Sequence, residues 1–137
     1  MSEEVTPKEG ANLLPVCTKE PEKLDIIFVC DGAASVGQIG HEVGVRLTNM
    51  SGPARMCCTS AVAAGSEPHI NVGKKARRVI VINGCANKCV TKIMEKNGIK
   101  IDFDYTLTEL GIKKIPTLDF SEDEVEKIVN IILKDLT

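Results

Sequence analysis

From Leu24 onward the chain alternates short β-rich apolar runs with longer stretches of helical periodicity, the order that consecutive βαβ units around a parallel sheet require. Leu24 to Val29 is the first of these runs, and its near-continuous apolar character suits a strand covered by helices on both sides. Val36, Ile39, Val43 and Leu47 then recur at three- and four-residue spacings, which predicts a helix from about Ser35 to Asn49. Gly37, Gly40 and Gly44 lie on or beside that stripe. They lower intrinsic helicity but let the helix approach a sheet or a site closely.

Ser51-Gly52-Pro53 ends this helix, and Ala54 to Cys58 reads as a short second strand. Between Ala61 and Ala76 the pattern weakens, with Gly65, Pro68 and Gly73 leaving room for a short helix beginning near Ser66. Arg78 to Ile82 is β-branched throughout its centre and suits a central strand. Ala86, Cys89, Val90, Ile93 and Met94 form one face of the next helix, with Gly98 as its C′ residue. A fourth strand is expected within Ile99 to Leu107, and Ser121 with Glu124 reads as a capping box opening a helix that bears Val125, Ile128, Val129, Ile132, Leu133 and Leu136. The expected fold is a three-layer α/β domain, Rossmann-like or flavodoxin-like, over residues 24–137, with a mostly parallel sheet of about four strands. Residues 1–23, with three prolines and little periodicity, read as an irregular tail or covering strap.

A chain of 137 residues buries roughly two-thirds of the surface its unfolded form exposes, so the six cysteines are not needed to staple an undersized core. Seventeen Lys and Arg against nineteen Asp and Glu leave a charge of −2, which supplies no global field for nucleic acid or an anionic membrane. The run Lys74-Lys75-Ala76-Arg77-Arg78 reads as a solvated helix end and strand lead-in. One Tyr, three Phe and no Trp also argue against a base-stacking platform. The acidic, polar Met1 to Lys8 lacks the pattern of a secretory signal, and no apolar run approaches the roughly 20 residues of a membrane span. A reducing cytoplasm is therefore the expected setting, where clustered cysteines serve as metal ligands or reactive thiols more often than as structural disulfides.

Cys30, Cys58 and Cys85 each stand where a strand-like run ends, and Cys89 lies four positions beyond Cys85. Loops after parallel strands share one rim, so four sulfurs from distant parts of the chain are expected at one edge of the sheet. With Cys85 at a helix cap, its Cβ and that of Cys89 come within about 5–6 Å. Sulfurs on one tetrahedral zinc need about 3.8 Å, within reach of side-chain rotation. A closed four-thiolate set at Cys30, Cys58, Cys85 and Cys89 points to zinc or, with the same ligand count, an iron–sulfur cluster. Plain core packing competes with this reading, above all for Cys89 on its apolar stripe. Cys57 should face away from Cys58 into the core, and Cys17 reads as a free or dispensable extra thiol. His41 and His69 are each alternative ligands for a three-sulfur site, with surface or packed histidine as the ordinary assignment. The loop after Cys30 resembles a tyrosine-phosphatase loop but has Val36 where the phosphate-clamping arginine would stand. Asn83-Gly84 reads as a tight turn that brings backbone close to a ligand.

Four ordered motifs carry a wider resemblance: Cys30-Asp31-Gly32-Ala33-Ala34-Ser35-Val36-Gly37, Met56-Cys57-Cys58, Asn83-Gly84-Cys85-Ala86-Asn87-Lys88-Cys89 and Leu107-Thr108-Glu109-Leu110-Gly111. Together they make the chain resemble the DGC-domain family, small proteins named after an Asp-Gly-Cys motif, over residues 25 to 111. The resemblance implies a zinc-binding protein whose ligands are Cys30, Cys58, Cys85 and Cys89, and it implies no particular reaction. Asn83 stands in place of the acidic residue of the naming motif, which removes a possible acceptor or base behind the ligands. Thr59 to Gly65 replaces a glycine-rich loop. A thiol enzyme reducing disulfides or metalloids, and a metal-sensing or delivery module with a protein partner, would use the same cysteines.

Overall fold

The computed structural model describes residues 13–137. The expectation for the amino-terminal tail falls in part on residues 1–12, outside the described residues. Four strands, β1 (Asp25–Val29), β2 (Ala54–Met56), β3 (Arg78–Asn83) and β4 (Phe103–Thr106), form a wholly parallel sheet in the order β2-β1-β3-β4. Five helices alternate with them: α1 (Ser35–Thr48), α2 (Thr59–Ala63), α3 (Glu67–Lys75), α4 (Cys89–Lys96) and α5 (Glu122–Leu136). The expected three-layer, flavodoxin-like arrangement is present. Its strand order reverses direction between β1 and β3, so the exits of those two strands flank the crevice where such sheets take ligands.

All five β1 residues are buried, as are five of the six in β3, because alternate side chains feed two separate cores. Ile27, Val29, Ile80 and Ile82 pack with Val36, Ile39, Val43 and Leu47 of α1 and Val125, Ile128 and Ile132 of α5. On the other face Ile26, Phe28, Val79 and Val81 pack with Val62 of α2, Val72 of α3, and Val90 and Met94 of α4. Gly44 lets α1 press onto the sheet, since a Cβ there would meet Val29 Cγ1 at 2.7 Å. Ser121 caps α5 by accepting from Glu124 N–H, and the Glu124 carboxylate accepts from Ser121 N–H, completing the expected capping box.

Three elements differ from the sequence reading. The stretch expected to hold one short helix contains two, α2 and α3, with a turn at Ala64–Ser66 between them; Pro68 falls in the first turn of α3, where its missing N–H costs nothing. The helix expected to carry Ala86 and Cys89, with Cys85 at its cap, begins only at Cys89. Cys85 instead opens a turn closed by Lys88 N–H on its carbonyl at 3.0 Å, so helical spacing does not relate the two sulfurs. Asn83 is the buried last residue of β3 rather than part of a tight turn.

The basic run before β3 is split by the fold. Lys74 and Lys75 end α3 exposed, whereas Arg77 and Arg78 both donate to Asp25, whose side chain is 2% exposed at the amino edge of the sheet. The strap before β1 is tied to the edge strand β2: Arg55 donates to Pro15 O at 2.9 Å, and Pro21 is buried at the start of a single turn, Pro21–Lys23. Among the described residues, no helix is long and apolar enough to cross a membrane.

Candidate functional site

Cys30 follows β1 directly and still belongs to the ladder, its N–H donating to Ile82 O at 2.9 Å. Its Sγ accepts the Gly32 N–H at 3.3 Å. That contact depends on a tight loop, because a Cβ at Gly37 would collide with the Gly32 backbone, and one at Gly84 would press on Gly37 N at 3.1 Å. The glycines therefore let the exits of β1 and β3 close on the start of α1. Gln38 Nε2 clamps the same loop by donating to the Asp31 and Gly32 carbonyls at 3.2 and 3.1 Å.

Cys58 is the exposed N-cap residue of α2, and the neighbouring Thr59 Oγ1 donates to Val29 O at 3.0 Å, tying the exit of β2 to that of β1. Cys89 is the exposed first residue of α4, and Asn87 Nδ2 donates to its Sγ at 2.9 Å. Both residues sit at helix starts.

Cys30, Cys58 and Cys89 border one cavity of about 550 Å³, which His41 of α1 and Cys57 also line. Cys85 does not line it. It packs against the core on the α1 and α5 side, with Lys114 Nζ 3.8 Å from the Cys85 Sγ, while Cys30 packs against the core on the other side. The rim thus brings three of the four expected sulfurs to one cavity and sets the fourth apart. Among the described residues, no three His, Cys, Asp or Glu side chains are gathered tightly enough to hold a metal ion. The donor types suit a thiophilic ion; the arrangement is open. His69 is engaged elsewhere, its Nδ1 2.7 Å from Oγ of Ser66, the N-cap residue of α3.

A family model for the DGC domain matches residues 26–132. The chain belongs to the DGC-domain family. A relative, the anaerobic and virulence modulator AnvM of Pseudomonas aeruginosa, is 22% identical over 107 residues, covering 78% of this chain and 81% of that protein. No solved structure matches the chain.

Within this DGC domain the residue that sequence reasoning undervalued is Asn83. Its Oδ1 accepts the N–H groups of Val90 at 3.0 Å and Thr91 at 3.2 Å, satisfying two of the unpaired donors at the start of α4. Its Nδ2 donates to Thr91 Oγ1 at 2.7 Å and to Asp104 Oδ1 at 3.1 Å. The amide therefore keeps the acceptor that the acidic residue of the naming motif would offer. It also adds a donor facing Asp104, where a second carboxylate would meet repulsion. Asn83 fixes the helix that carries Cys89. The one sequence signal for this was a polar residue closing a β-branched strand shortly before a helix start that has no side-chain cap of its own.

Cys57 is buried and Cys17 is a free thiol, both as expected, and the two sulfurs are 3.8 Å apart. Burial, and then the neighbouring Cys17, push the Cys57 thiol up to about 12.

Proposed function

We propose that the carboxyl rim is a thiolate metal site taking a thiophilic ion, zinc first, through Cys30, Cys58, Cys89 and Cys85. The observation that carries this reading is that sulfurs from three separate strand exits border one cavity, two of them already receiving an N–H donor. Outer N–H groups of this kind orient thiolate ligands and temper their charge. Cys85 completes the set by turning away from Lys114 within its short turn. Four thiolates leave no open position for water, so zinc would bind here as a structural or exchangeable ion rather than for hydrolysis. An iron–sulfur cluster uses the same ligands and would colour the protein brown. We place the protein in a reducing cytoplasm, which keeps such thiols available.

A thiol-redox enzyme is the second reading, supported by the exposure of Cys89 at the first residue of α4 beside the Asn87 donor.

Native mass spectrometry with metal analysis, on the full chain and its single Cys→Ser variants after zinc addition, separates these readings. One zinc per chain is expected, lost on changing Cys30, Cys58, Cys85 or Cys89 and kept on changing Cys17 or Cys57. Zinc retention that is equal across all six variants defeats the metal assignment. Absent zinc together with rapid alkylation of Cys89 supports the redox reading instead.

A further inference from the structure

Cys17 and Cys57 meet from segments 40 residues apart, outside the four-cysteine set and independent of the metal reading. We propose that they form a redox-modified pair, which a hydroperoxide converts to a disulfide that fastens the strap to the sheet beside the cysteine cavity.

Both partners are already held in place. Cys57 extends β2, its N–H donating to Ile27 O at 2.9 Å, and it packs in the same apolar core as Leu24 and Phe28. Cys17 begins a turn next to the Lys19 N–H to Val16 O bond of 3.1 Å and packs on that core from outside. Arg55 holds the strap from the strand side, donating to Pro15 O at 2.9 Å and also to Met56 O, the carbonyl just before Cys57. The chain therefore delivers the two sulfurs to 3.8 Å, from which they must close to an S–S bond of about 2.05 Å.

Access decides the order of events. Cys17 is half-buried between the exposed Val16 and Thr18, whereas Cys57 is buried. Cys17 sulfur attacks the peroxide, breaking its O–O bond, to give a sulfenic acid and one water. Cys57 sulfur then attacks the Cys17 sulfur and displaces the hydroxyl as a second water. Two thiols lose two electrons and two protons, and hydrogen peroxide is reduced to two waters. Thiol exchange with a reducing dithiol reverses the bond.

The test uses the reduced, zinc-free full chain treated with hydrogen peroxide, blocked with N-ethylmaleimide and mapped without reduction. The expected product carries a Cys17–Cys57 linked peptide, weighs two hydrogens less than the reduced chain and labels at the other four cysteines. Trypsin cleavage after the exposed Lys19 slows several-fold in the linked form and recovers on reduction. Cys17→Ser, a change in the strap that leaves the sheet intact, abolishes both effects. The proposal is overturned if Cys17 labels equally before and after peroxide, if Cys57 links instead to Cys58 or another rim cysteine, or if the linked form is cut as fast as the reduced one.

Discussion

At the amino edge of the sheet, Asp25 is 2% exposed and takes four hydrogen bonds from Arg77 and Arg78, with Arg78 also lying over the Phe103 ring. At the carboxyl edge of the same strands, Cys58 and Cys89 are exposed, and Cys30, Cys58 and Cys89 border a cavity that Cys85 does not reach. At the amino edge both carboxylate oxygens of the buried Asp25 are taken up by arginine donors. The other edge holds polarisable donors that are oriented but not closed on one another. A protein that needed these cysteines only for packing would bury them as it buries Cys57, so the contrast supports the ligand chemistry proposed for the carboxyl rim.

The largest effect that would sharpen the contrast is on metal affinity. Cys58→Ser is expected to weaken zinc binding by more than about a hundredfold in a competition titration. The metal-free chain should keep its denaturation midpoint to within about 0.5 kcal/mol, because the side chain is exposed. At the opposite edge, Asp25→Ala should lower unfolding free energy by about 2–3 kcal/mol in urea while leaving zinc stoichiometry unchanged. That cost is set below the value for a fully buried pair because both arginines retain contact with water. Zinc loss in this variant would break the separation of the two edges.

Asn83→Ala tests the link between stability and site, since it strips two N–H acceptor contacts from the start of α4. Unfolding free energy should fall by about 1–3 kcal/mol. Zinc affinity should fall by about tenfold, through loosening of Cys89 rather than loss of a ligand. An unchanged affinity would show that α4 holds its cysteine without this cap. Ser121→Ala, far from either edge chemistry, should cost about 1 kcal/mol through the α5 capping box and leave zinc binding untouched.

The α/β class, the parallel sheet and most helices were readable because their signals are local: unbroken apolar runs at β1 and β3, a four-residue stripe in α1, and a capping box at Ser121. The α2 helix was missed because five residues show too little periodicity to register. The start of α4 was misplaced for a different reason. Ala86 to Lys88 fit the apolar and polar pattern of the helix, but a left-handed Lys88 at φ 49° stops it from extending back to Cys85.

The residues alone determined which sulfurs would stand at strand ends, because strand boundaries follow from side-chain chemistry over a few positions. Only the folded chain decided their grouping: Cys30, Cys58 and Cys89 on one cavity, Cys85 beside Lys114, and Cys17 against Cys57. Those distances depend on the direction each turn takes as it leaves the sheet and on contacts between segments tens of residues apart. A linear pattern carries neither.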